Sequence, residues 1–358
     1  MPYDVDDDLR KMCESGRIED AVSFFELVHK GGLNLIPKNY AFLLQECAKM
    51  RALDEGKKIH ALLCTSDMKV DVFLMNNLLS MYTKCGCMRE ARVIFDAMAT
   101  SRDVVTWTLM IDAYIQLGHV KEAIKLFFTM LKRRVKPNKI TYVRLLKACS
   151  SPEALDDGKR IHEHAIKRHL EKNKYVGGAL IEMYIKCGSI KEARKVFHGV
   201  FPKDTVVWTL MLSGYVQYGR FREALKAFQH MRWRYGIEPT TTLWIIALNA
   251  CGNIADLEYG KLLHTCIIES FSELDVCILN EIVQMYIRCG SLADARSQFD
   301  HIFPRPASLW ASMIAMYKES GDQEEASKLV CKLDHLDLSS IEACSSYEAY
   351  GYHKEVLK

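Results

Sequence analysis

Apolar residues along residues 72–103 fall into two helical stripes. Leu74, Met75, Leu78, Leu79 and Tyr82 share one face, and Ala91, Ile94, Phe95 and Met98 recur at the i, i+3, i+4, i+7 spacing of a second amphipathic helix. Lys84, Cys85 and Gly86 lie between them, a sequence that predicts a stop with Gly86 as a left-handed C-cap. Residues 104–138 repeat the pattern with Leu109 to Tyr114, a stop at Gly118, then Ala123, Ile124, Phe127, Met130 and a closing Pro137. Residues 139–173 give a third version, with Tyr142 to Cys149, Gly158, then Ile161, Ala165 and Ile166. No stretch alternates as a strand would.

A longer period organises these pairs. Cys47, Cys149 and Cys251 are spaced by 102 residues, as are Cys85, Cys187 and Cys289, Gly56, Gly158 and Gly260, and His60, His162 and His264. Tyr82, Tyr184 and Tyr286 keep the same step, and so do Phe95, Phe197 and Phe299; Trp107, Trp208 and Trp310 keep it within one residue. So many columns in phase define an internal repeat, and each round splits into three helix–turn–helix units of 31–36 residues. Such a pair cannot bury its apolar stripe alone and stacks on its neighbours. The predicted fold is all-α, a right-handed superhelical solenoid of stacked helix–turn–helix, tetratricopeptide-like repeats, with function on the face lined by the first helices.

Composition narrows the classes further. Hydrophobic residues make up 49% of the 358 and charged residues 26%, enough for a large core and unlike a disordered chain. Lys+Arg 48 against Asp+Glu 45 leaves +3, so net charge alone does not announce a polyanion partner. No apolar run reaches the ~18 residues of a membrane-spanning helix, and no membrane partner is expected. The stretch from Met1 to Asp8 is acidic, unlike a signal or transit peptide, so a targeting segment is expected to lie outside this chain or to be lacking. Thirteen cysteines, six of them in phase, read as small buried hydrophobes rather than as bridges.

Several motifs carry a family resemblance. The run from Val104-Val105-Thr106-Trp107 to Tyr114 resembles the opening of a plant pentatricopeptide repeat, and the alternation of three unit types resembles its PLS subclass. Leu78 to Gly86, with siblings at Leu180–Gly188 and Ile282–Gly290, resembles the short S type; Gly158-Lys159-Arg160-Ile161-His162, with siblings at Gly56–His60 and Gly260–His264, resembles the long L type. Val135-Lys136-Pro137-Asn138 resembles the P-type ending, echoed by Gly236 to Thr240. The implied repeats are a degenerate P type at 2–37, L types at 38–71, 139–173 and 241–275, S types at 72–103, 174–204 and 276–306, and P types at 104–138, 205–240 and 307–338. Gly351 to Lys358 is similar to Gly118 to Lys125, so 339–358 is expected to be a further repeat cut inside its second helix.

The resemblance implies sequence-specific binding of single-stranded RNA in a mitochondrion or chloroplast, one repeat per base, commonly to select a site for C-to-U editing. In the family, the fifth and last residues of a repeat read the base. On this chain that implies Asn76 with Asp103 for U and Thr108 with Asn138 for A. Thr209 with Thr240 leans to purine through its threonine at position five, Asn280 with Pro306 leans to pyrimidine, and Gly178 leaves Asp204 to act alone. The second residue sandwiches the bases, a role Phe73, Val105, Ile140, Tyr175 and Val206 suit better than Thr242 and Ser308. Lys132, Arg133, Arg134 and Lys136 have two readings, contacts to phosphates or a solvated helix end.

Catalytic chemistry is not expected from this chain. RNA-editing relatives often carry a zinc deaminase with H-x-E and C-x-x-C motifs; His162-Glu163-His164 lacks that spacing and no C-x-x-C occurs. No phosphate-binding loop and no H-E-x-x-H appears either. The in-phase histidines stand too far apart to share one ion and are expected to pack against the adjacent helix. No cofactor is expected, and a deaminase or other editing factor would act in trans. The rival class is a tetratricopeptide-like protein–protein scaffold, which would need peptide-anchoring residues along the groove.

Overall fold

Several helix starts in this chain share one device, a short acidic or amide side chain. In the computed structural model Asp71, Asp103, Asn138, Asn173, Asp204 and Asp275 each accept a hydrogen bond from a backbone N–H in the first turn of the helix that follows, meeting donors that a helix leaves without an internal partner. Several stops are set by a glycine at positive φ. Gly86 sits at φ +78°, and the next N–H, of Cys87, returns to the Tyr82 carbonyl at 2.9 Å, closing the helix as its sequence predicts.

The structure describes residues 5–31, 36–66, 68, 70–271, 275–302, 305 and 307–334. Twenty α-helices and no strand lie among them. The chain divides into two units, one up to Gly188 and one from Ser189 onward. The first holds α1 (Val5–Glu14), α2 (Ile18–Lys30), α3 (Pro37–Met50), α4 (Leu53–Thr65), α5 (Val72–Lys84), α6 (Met88–Ala97), α7 (Val104–Gln116), α8 (Val120–Lys132), α9 (Lys139–Ala148), α10 (Leu155–Lys167) and α11 (Lys174–Lys186). The second holds α12 (Ile190–Gly199), α13 (Thr205–Gln217), α14 (Phe221–Gln229), α15 (Thr241–Ile254), α16 (Leu257–Ser270), α17 (Val276–Arg288), α18 (Leu292–His301), α19 (Ala307–Glu319) and α20 (Gln323–Asp334). The expected further repeat at 339–358 lies outside the described residues.

Within the first unit α3, α5, α7, α9 and α11 pack side by side as one row, and α4, α6, α8 and α10 each brace two neighbours of that row. In the second unit α13, α15, α17 and α19 form the row, braced by α14, α16 and α18. This is the stacked helix-pair architecture expected of a solenoid. One irregularity has a local cause. α15 begins 36 residues after α13, where α9 begins 35 after α7, and the extra residue is taken up in a π turn over His230–Arg234.

The columns in phase with the 102-residue step turn out to be packing devices. Phe95 meets Trp107 edge-on at 5.1 Å, Phe197 meets Trp208 at 4.8 Å and Phe299 meets Trp310 at 4.9 Å, all buried. A cation lies over each phenylalanine: Arg102 at 3.9 Å, Lys203 at 5.3 Å and Arg305 at 4.8 Å. Gly56, Gly158 and Gly260 sit against the sulfurs of Met81, Met183 and Met285, where a Cβ would come within 2.4, 2.8 and 2.4 Å. The missing side chain is what lets those helices approach. Cys47, Cys149 and Cys251 are fully buried, whereas Cys85 and Cys289 are only half-buried beside the glycine stops.

The three in-phase histidines pair with the three in-phase tyrosines. His60, His162 and His264 place Nδ1 at 2.8, 2.8 and 2.9 Å from the hydroxyls of Tyr82, Tyr184 and Tyr286. Burial pushes the pKa of His60 down, and also that of His264, although Asp294 partly opposes it there. An imidazole whose folded pKa lies below its unfolded value of about 6.5 contributes stability that is complete above that pH and is lost as pH falls through the folded value. The urea midpoint should therefore drop between pH 7.5 and pH 5.5. In a His60→Gln, His264→Gln double variant the drop should be smaller.

Candidate nucleic-acid interface

The row of first helices presents a repeated outward position. Phe73, Val105, Ile140 and Tyr175 are the second residues of α5, α7, α9 and α11, and Val206 is the second residue of α13. All five are 50–63% exposed although each is large and apolar. Four of them come from successive helices of one packed row, which sets them apart from the singly scattered apolar residues of an ordinary surface. Thr242 and Ser308 hold the same place on α15 and α19 and are exposed but polar.

Two polar clusters stand beside this position in the first unit. Asn76, on α5, is 7% exposed, and its Nδ2 donates to Asp103 Oδ1 at 3.2 Å. The same carboxylate oxygen caps α7, accepting from Thr106 N at 2.8 Å, and lies 2.9 Å from the Thr106 hydroxyl. Thr106 Oγ1 is 2.7 Å from Asn76 Oδ1. Burial raises the Asp103 pKa, but the hydrogen bonds from Thr106 and Asn76 outweigh it and leave the carboxyl below its usual range. Asp103 is therefore a carboxylate at neutral pH. That charge fixes the amide: Asn76 must turn its NH2 towards Asp103, so its Oδ1 faces the Thr106 hydroxyl.

The second cluster has the same plan. Asn138 caps α9 through Oδ1, which accepts from Thr141 N at 3.0 Å and lies 3.1 Å from the Thr141 hydroxyl. Thr141 Oγ1 is 2.8 Å from Thr108 Oγ1, and the Thr108 hydroxyl donates to the Val104 carbonyl at 2.7 Å. With Oδ1 occupied, Asn138 has its Nδ2 donors left for a partner. Thr106 and Thr141 are both fully buried, and neither stands among the site residues inferred from the family pattern. Their sequence signal was present: each is a threonine three residues after a cap residue.

The remaining candidate pairs are not joined in this way. The Thr209 hydroxyl donates to the Thr205 carbonyl at 2.7 Å and no hydrogen bond links it to Thr240, which is exposed; Leu243 stands where the first two clusters have threonine. Asn280 is half-buried and its Oδ1 has no partner among the described residues, with buried Leu309 in the corresponding place; Pro306 lies outside the described residues. Gly178 is buried in α11, and Asp204 caps α13 through Val207 N at 3.1 Å. Lys132, Arg133, Arg134 and Lys136 are exposed and form no ion pair among the described residues. No cluster of three or more His, Cys, Asp or Glu able to hold a metal ion occurs among the described residues, and no helix there is long and apolar enough to cross a membrane.

Comparison with known proteins fits this geometry. The PPR repeat profile matches residues 73–102, 178–199 and 206–235, and the PPR repeat family profile matches 102–151. A chloroplastic pentatricopeptide repeat-containing protein of Arabidopsis thaliana is 32% identical over 87% of this chain and 38% of its own length. Another chloroplastic one from Arabidopsis thaliana is 35% identical over 82% of this chain and 47% of its own, and a mitochondrial one is 32% identical over 90% and 50%. The chain thus spans half or less of the length of these curated relatives. Among solved structures, the pentatricopeptide repeat protein PPR10 from maize superposes with a TM-score of 0.63 at 21% identity, covering 91% of this chain and 48% of that one. PPR10 in complex with an 18-nt psaJ RNA element superposes at 0.53 with 16% identity, covering 91% and 54%. This chain carries pentatricopeptide repeats and has plant pentatricopeptide repeat proteins as homologues, on the solenoid fold that PPR10 shares.

The caps give the site a stability test. Asn138→Ala removes the acceptor at the start of α9 and should cost about 1 kcal/mol in urea unfolding. Asn138→Asp keeps an acceptor there and should stay within about 0.5 kcal/mol of the parent.

Proposed function

We propose that this chain is a sequence-specific single-stranded RNA-binding adaptor that takes one base per repeat. The supporting observation is the row of exposed apolar side chains at the second helical position, set beside the hydrogen-bonded pair Asn76–Asp103 and the pair Thr108 and Asn138, which both lie against Thr141. Unstacked bases supply flat apolar faces to slot between Phe73, Val105, Ile140 and Tyr175, and Watson–Crick edges to meet the polar pairs.

Donor and acceptor chemistry then selects the base. The carboxylate of Asp103 accepts from uracil N3–H, whereas cytosine offers a lone pair at N3 and is repelled. Asn138 donates through Nδ2 to adenine N1, whereas guanine carries a proton at N1 and is rejected. These assignments coincide with the family's reading of the same residues. The preferred RNA is, 5′ to 3′, U-A-n-n-purine-n-pyrimidine, with discrimination concentrated at the U and the A. The unpaired cations Lys132, Arg133, Arg134 and Lys136 suit phosphates.

The repeat boundaries at 2–37 through 307–338 and the PLS assignment belong to the same reading. So does a role in organellar RNA modification, C-to-U editing, with the deaminase chemistry supplied elsewhere. Relatives named as chloroplastic or mitochondrial support an organelle as the place of action.

Filter binding with single-stranded RNA tests the proposal. The logarithm of the association constant should fall with the logarithm of salt concentration by roughly 0.7 per phosphate contacted; failure to bind RNA at low salt, with capture of a folded protein partner instead, sinks the reading in favour of a scaffold. Changing the A opposite Thr108 and Asn138 to G should weaken binding about ten-fold, the scale of one unpaired polar group. Asn138→Asp should reverse that preference, and a variant that still prefers A would show the base-reading register to be wrong.

A further inference from the structure

The two fully paired readers share a residue that the other candidate positions lack. Thr106 and Thr141 are each the third residue of the helix that follows a cap, each is fully buried, and each hydroxyl touches both members of its pair. We propose that Thr106 and Thr141 are specificity-determining positioning residues, whose buried hydroxyls hold the base-reading pair in the one donor–acceptor orientation that discriminates. This rests on the RNA-binding reading above.

Proton counting shows why the hydroxyl matters. Asn76 turns its NH2 to the Asp103 carboxylate, so its Oδ1 needs a donor from elsewhere, and Thr106 at 2.7 Å is the one supplied. Without that donor the Asn76 Oδ1 is left buried and unpaired, so the amide loses one of the two contacts that hold it in place and is held against Asp103 by Nδ2 alone. The second unit contains the natural counter-case. Asn280 has Leu309 where Asn76 has Thr106, and there the Asn280 Oδ1 is buried with no hydrogen-bond partner. In the second cluster the Thr141 hydroxyl lies against both Thr108 and Asn138, whose side chains have no direct hydrogen bond, and so sets their spacing.

Thr106→Val tests the idea, since valine fills the same volume without the hydroxyl, and Thr106→Ser restores the hydroxyl alone. Binding is measured to RNAs carrying U or C opposite Asn76 and Asp103, with the Asn76 side-chain amide followed by NMR hydrogen exchange and the urea midpoint recorded as a control on folding. Thr106→Val should lower the U-over-C ratio about three- to ten-fold and quicken exchange of the Asn76 amide, while Thr106→Ser should return both towards the parent. Thr141→Val should lower the A-over-G ratio at the next base and leave U over C unchanged. A parent chain with U preference that Thr106→Val retains overturns the positioning role alone, as does a Thr106→Ser protein that discriminates as poorly as the valine variant. A parent chain with no preference for U or A overturns the base reading itself.

Discussion

Each helix pair of this chain is left with an apolar stripe that only the next pair can cover, and the rest of the structure follows from that constraint. It forces the first helices into rows, α3 to α11 in one unit and α13 to α19 in the other. It places a phenylalanine–tryptophan contact, capped by a cation, at a fixed point of each 102-residue round. Because every interface is local, the chain can vary its outward residues repeat by repeat while the stacking surfaces stay constant. The exposed second positions and the polar pairs beside them are among the residues left free to vary.

Much of this was legible in the sequence because packing surfaces recur in phase. The 102-residue columns of glycine, histidine, tyrosine and phenylalanine announced a repeat before any helix was drawn, and 3.6-residue periodicity located the helices. The histidines packed as expected, although their partners, the tyrosines of the same period, emerge only in three dimensions. Methionines 81, 183 and 285 share the period too, and their contact with the glycines explains why those positions stay glycine.

The candidate site was legible in outline and silent in detail. A resemblance can point to Asn76 and Asp103 by position, but it does not reveal that one carboxylate oxygen serves an amide and a backbone N–H together while a buried hydroxyl serves the amide's oxygen. Nor does it separate Asn76, whose amide is satisfied on both sides, from Asn280, whose oxygen is stranded. The difference lies in one residue, threonine or leucine, about thirty positions along the chain. Side-chain hydrogen bonding between neighbouring repeats is a tertiary fact, and periodicity carries no signal for it.

Asp103 and Asn138 each begin a helix, and in the proposed reading the same side chain also meets a base. Helix starts accept a narrow vocabulary, chiefly aspartate, asparagine, serine and threonine. Aspartate and asparagine are near-equal caps yet opposite as hydrogen-bonding partners, one an acceptor and the other a donor. A single-nucleotide exchange in a codon therefore swaps the hydrogen-bonding character of the position at almost no cost to the fold. On the proposed reading, a lineage carrying such an array could change its target one position at a time while the fold stays intact.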